Sequence, residues 1–133
     1  MNDYFKPCYS RWFYSPKTFF ANIGATFEWL KWSWQRAFRG YADCDWWNID
    51  SYFYNTIVPM LRILKEKRHG YPSGLTDEKW EVILTKMIEA FNVAERASSL
   101  DYETDIADNM KKDIALFQKD GKLFIKYFIN LWD

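Results

Sequence analysis

The sequence predicts an all-α fold, a bundle of four to five helices with a central, buried helix kinked at a proline. Three observations carry this. Apolar residues recur at helical spacing along most of the chain, no segment alternates with a period of two over the length of a strand, and Pro, Gly, Ser and Thr stand where helices start and stop. At 133 residues the chain is long enough for one domain with its own core, and residues 1–15 read as an aromatic-rich N-terminal arm of that domain.

The first helix is expected over 16–39. Ser15 is a natural N-cap, Pro16 suits the first helical position, and Gly40 ends the run. Phe19, Phe20, Ile23, Phe27, Leu30, Trp34, Ala37 and Phe38 fall in a stripe about 100° wide, which predicts a core-facing side. The opposite side holds Trp29, Trp32, Arg36 and Arg39, a mixture that is neither ordinary solvent face nor ordinary core.

A second helix is expected over 49–68, capped by Asn48 or Asp50 and closed by Gly70. One side carries Ile49, Phe53, Met60, Ile63 and Leu64, the other Tyr54, Val58 and Leu61, a pattern that predicts burial between neighbours. Pro59 lacks a backbone donor and predicts the kink. The turn 71–74 leads to Thr76, a cap for a third helix whose stripe is Trp80, Ile83, Leu84, Met87, Ile88, Phe91 and Ala94. A fourth helix is expected over 101–119, capped by Ser99 or Asp101, with Ile106, Met110, Ile114 and Phe117 as its spine. Beyond Gly121 a fifth segment is apolar almost all round.

Composition narrows the function. Eighteen basic and eighteen acidic residues cancel, which argues against a duplex nucleic-acid binder. The balance is uneven along the chain: residues 1–74 hold ten Lys/Arg against six Asp/Glu, and 75–133 hold eight against twelve. Aromatic residues are 21% of the chain, and 19 of the 28 lie in the first 54 positions. A small core does not hide so many rings, so some are expected to face a partner, a ligand or another copy of the chain. The N-terminus lacks the apolar run of a signal peptide, and no run is long enough to span a bilayer. Cys8 and Cys44 are expected as free thiols in a cytoplasmic setting. One histidine and no CxxC argue against zinc, and no cofactor is expected.

The chemistry-bearing residues cluster in RGYADCDWWNIDSYF, 39–53. Asp43 and Asp45 form a DxD that suits a hard cation, or else a turn and a helix cap at Trp46. Of the adjacent Trp46 and Trp47, at most one can point squarely into a core, and the other is free to stack on a ligand or anchor a protein contact. The side Trp29, Trp32, Arg36 and Arg39, with Tyr41 at its end, suits a nucleotide phosphate, a protein interface or an anionic membrane surface, or is covered by later helices with its arginines paired to their acids. His69, in KEKRHG, is explained by the cation preference of a helix C-terminus. No nucleophile motif, phosphate loop or metalloprotease spacing is present, so no enzyme is expected.

Arg39-Gly40-Tyr41, Asp43-x-Asp45-Trp46, Gly70 with Pro72, Trp80 and Met87-Ile88 together resemble a group of small uncharacterised proteins encoded by tailed phages and prophages. The likeness covers about residues 39–91. It implies a phage accessory protein in the cytoplasm of an infected bacterium and carries over no catalytic residue. The function expected first is a non-enzymatic inhibitor of a host defence system that works by direct contact with a host protein. The alternatives are a nucleotide second-messenger sponge, with Arg36 and Arg39 on phosphates, a tryptophan on the base and Asp43 or Asp45 on a base edge or ribose, and a virion or packaging component. Self-association is expected in each case.

Overall fold

A computed structural model describes residues 16–132, with side chains from residue 23 onward. The N-terminal arm, the Ser15 cap, Cys8 and the side chains of Phe19 and Phe20 lie outside the described residues. Five α-helices follow in order: α1 Pro16–Arg39, α2 Ile49–Lys67, α3 Asp77–Ser99, α4 Ile106–Asp120 and the short α5 Lys122–Lys126, with a 3-10 turn at Phe128–Asn130. No strand occurs among the described residues. The fold is all-α, with bundle-like packing of α2, α3 and α4. The chain divides into two compact units, one ending at Tyr52 and one beginning at Phe53, so α2 starts in the first and continues in the second.

In the second unit, helical period brings apolar side chains of three helices together. Tyr54, Val58 and Leu61 of α2, Trp80, Leu84, Met87 and Phe91 of α3, and Phe124 of α5 form one buried cluster. Rings meet edge to face within it: Phe91 and Phe124 at 5.2 Å between centroids, Trp80 and Tyr127 at 5.4 Å. That geometry sets the positive ring edge against the negative face. α2 runs unbroken through Pro59. Its burial is one-sided, however. The Tyr54, Val58, Leu61 stripe is inside, whereas Ile49, Met60 and Ile63 of the other stripe are exposed.

α3 begins where its cap predicts, with Thr76 Oγ1 accepting from the Lys79 amide at 3.4 Å. Asp77 and Glu78 in the first turn suit the positive end of the helix dipole. The turn before it places Gly74 at a φ of 86°, where an L-residue is strained, and closes with the Leu75 amide on the Pro72 carbonyl.

α4 starts five residues later than the sequence predicts, and neither Ser99 nor Asp101 caps it. Leu100 adopts a left-handed conformation that ends α3, and Asp105 a second one that precedes α4. The intervening loop is held by Asp113, which accepts from Arg96 through two bonds of 2.7 Å and from the Tyr102 hydroxyl at 2.8 Å. The only buried residue of α4 is thus this carboxylate, while Ile106, Ile114 and Phe117 of the predicted spine are exposed.

At Gly121 the backbone stays helical, so the residue is not there for its freedom of φ. A Cβ at that point would lie 2.6 Å from the Phe117 carbonyl oxygen. The chain passes too close to itself for a side chain. The last segment is a single α-turn followed by the 3-10 turn. It buries Phe124, packs Leu123, Tyr127 and Leu131 against the core and leaves Ile125, Phe128, Ile129 and Trp132 exposed.

In the first unit, α1 spans the residues its period predicts, and Gly40 follows it with a φ of 82° and its amide on the Arg36 carbonyl. Its sides are exchanged relative to expectation. The stripe read as core-facing is exposed: Phe27 at 68%, Trp34 at 67%, with Leu30, Phe38 and, more marginally, Ile23. Trp29, Trp32 and Arg36 on the other side are half-buried. Residues 42–45 bond back to this helix through Gln35, Arg36 and Arg39.

Candidate functional site: the aromatic corner

The corner between α1 and α2 is a succession of short turns. The Asp45 amide bonds the Ala42 carbonyl at 3.0 Å, the Asn48 amide the Asp45 carbonyl at 3.2 Å, and the Tyr52 amide the Asn48 carbonyl at 2.9 Å, where α2 takes over. Such a path leaves polar groups inside, and side chains satisfy them. Asp45, 2% exposed, accepts from its own chain at the Ala42 amide (2.7 Å) and from Arg36 at both oxygens, Nε to Oδ2 at 2.9 Å and Nη2 to Oδ1 at 2.6 Å. Its carboxylate therefore reaches backward along the chain, to α1 and to the start of the corner. The planar guanidinium matches the planar carboxylate, the arrangement in which a charged pair tolerates burial best.

Asp43 is held by a second set of partners. Gln35 donates to its Oδ2 at 2.7 Å and accepts from its amide at 2.9 Å, Arg39 donates to Oδ1, and Lys31 Nζ lies 3.3 Å from Oδ2. Hydrogen bonding by Arg39, then Gln35, holds the Asp43 carboxyl down at about 2. The same bond raises Arg39, whose Nε also donates to the Tyr41 carbonyl at 2.9 Å and whose guanidinium lies 4.7 Å from the Tyr41 ring centroid. The Tyr52 hydroxyl closes the corner by donating to the Gly40 carbonyl. Between the two sets sits Cys44, its Sγ 3.4 Å from Arg36 Nη2, with burial pushing its thiol up.

The residues singled out in the sequence therefore separate by role. Arg36, Arg39, Asp43 and Asp45 are brought together, but with one another. Trp29 and Trp32 are half-buried on the side of α1 that carries this network. Tyr41, Trp46 and Trp47 are exposed, Trp47 at 74%, and the two indoles lie 4.4 Å apart between centroids, with exposed Ile49 following them in the chain. Gln35 is the participant that the sequence reading missed. Its signal is faint: a neutral amide one helical turn before Arg39, able to donate and accept at once. Among the described residues no group of three His, Cys, Asp or Glu is placed to hold a metal ion. His69 is exposed just beyond α2, where the neighbouring Arg68 covers the Lys65 carbonyl and pairs with Asp77 at 2.9 Å.

No protein-family model, curated protein or solved structure matches the chain. Among the described residues no helix is long and apolar enough to cross a membrane.

Proposed function

We propose that this chain is a non-enzymatic binding protein that acts by contact with another protein, with Trp46 and Trp47 as the anchor. One observation carries the reading: two adjacent exposed indoles stand on a corner whose acids are both bonded back to α1. A contact made from a backbone already bonded in place loses less conformational freedom on binding. Tryptophan and tyrosine dominate the energetics of protein interfaces. Tyr41 and Ile49 extend the apolar surface on either side of the pair in sequence.

The same network weighs against nucleotide sequestration. A phosphate clamp draws on unneutralised guanidinium charge, and Arg36 and Arg39 are already ion-paired, with Asp45 and Asp43. The phage likeness supplies the class of target, a host protein of the infected bacterium. Inhibition of a defence system then follows from occluding that protein or holding it in one conformation.

The test is to express the chain in a bacterium that carries a defence system and to count plaques. Restored plating by the native chain, lost in Trp46→Ala/Trp47→Ala with circular dichroism unchanged, is the expected result. In parallel, the purified protein is titrated with cyclic dinucleotides and cyclic oligonucleotides while tryptophan fluorescence is followed. Saturable quenching would overturn protein contact in favour of sequestration.

A further inference from the structure

We infer that the exposed side of α1 is a self-pairing surface, and that its occupant is α1 of a second copy of this chain. Ile23, Phe27, Leu30, Trp34 and Ala37 follow one another at steps of four, three, four and three. This is the spacing of a two-helix seam, in which residues every three and four positions stay on the line of contact as two helices wind about each other. Most of these side chains are exposed, and Trp34 and Phe38, one turn apart, keep their rings 4.2 Å from each other, so the surface is continuous.

Three further features identify a second copy as the occupant. First, a seam with this period is complementary to itself. Each copy offers knobs and the holes between them, which a chain without that period does not. Second, the seam is neutral. Lys31 is the one charge at its margin, and its ammonium is drawn to Asp43, so two copies meet without like charges opposed. Third, Gly24 stands in the middle of α1, where it costs the helix about 1 kcal/mol relative to alanine. Among the described residues nothing lies within 4 Å of where its Cβ would be, so no described neighbour requires a glycine there. A helix passing close beside Ile23 does.

The size agrees. At roughly 150–250 Å² for a whole aromatic side chain, the exposed parts of the seam come to about 500 Å² per copy, and a symmetric pair would bury about 1,000 Å², the lower limit of a specific interface. The pairing is therefore concentration-dependent. It lies on the other side of α1 from Arg36 and Arg39, which hold Asp45 and Asp43, so two corners remain available in the pair.

Sedimentation velocity over a concentration series tests this. The native chain should pass from 16.1 kDa to twice that mass as concentration rises. Leu30→Glu/Trp34→Glu should stay at the single mass with helicity unchanged, because both side chains are exposed in the single copy. Gly24→Leu supplies an independent reading. It should raise helicity and the melting temperature at low concentration, yet weaken pairing at least tenfold. A native chain that remains at 16.1 kDa throughout, or a doubled mass that survives both variants, overturns the inference. Trp46→Ala/Trp47→Ala should leave the doubled mass intact, which separates this surface from the contact proposed above.

Discussion

Arg36 and Asp45, nine residues apart, are joined by two parallel hydrogen bonds of 2.9 and 2.6 Å, with the carboxylate 2% exposed. The carboxylate also takes the Ala42 amide, so it satisfies backbone and side chain together. The pair is what turns the chain back along α1, and it fixes where the tryptophans emerge.

Removing one partner should leave the other without this two-bond ion pair in a largely buried place. Asp45→Ala takes the counter-charge from Arg36 and the acceptor from the Ala42 amide, and Arg36→Ala removes two charged donors from the buried carboxylate; each is expected to cost about 3–5 kcal/mol, read from urea unfolding. The double substitution should cost less than the sum, because nothing charged remains to be stranded. Additive losses would mean that the two residues act separately.

Trp80 is expected to be the most sensitive apolar position. It is 2% exposed, lies in the shared cluster of α2, α3 and α5, and meets the Tyr127 ring edge to face. Trp80→Ala should cost about 3–5 kcal/mol through lost burial and the cavity left behind, while Trp80→Phe should recover a large part. Thermal melting followed by circular dichroism measures both.

Acid should unfold the protein through its bonded carboxylates. The Arg96 hydrogen bonds hold Asp113 below the ordinary carboxylate range, with Tyr102 adding to the effect, and Asp43 is held at about 2. A carboxyl with a depressed folded value contributes stability that is complete above its unfolded value, about 3.9, and is lost as pH falls toward the folded one. Melting temperature should therefore be level from neutral pH down to about 5, then drop below about 4. Asp113→Asn should melt lower at neutral pH and show a shallower acid decline, since its side chain no longer takes up a proton.

Much of the architecture was legible because helix ends are local chemistry. Gly40 ends α1, and Thr76 with Asp77 and Glu78 starts α3, through groups within a turn of each end. α4 was misread at its start because Asp101 looks like a cap within its own neighbourhood. What decides the boundary is Asp113, twelve residues on, which holds Tyr102 in the loop. The sides of α1 were exchanged for a related reason. A 3.6-residue period shows that a helix has an apolar side, but not whether that side meets this chain's own interior. Arg36 and Arg39 are expected from sequence on a ligand, a partner or the acids of later helices, whereas the acids that they bond lie in the next nine positions. Trp46 and Trp47 could be paired with two roles from sequence; only the fold of the corner places both rings outside.

Cys44 gives the corner a gauge of its own. Its sulfur lies against Arg36 and Asp45, and burial keeps it in the protonated, slow-reacting form. Alkylation at this position should therefore speed up when the guanidinium and carboxylate are parted, so a labelling rate in Asp45→Ala set against the native chain, followed by mass spectrometry at that cysteine, reports the state of the turn.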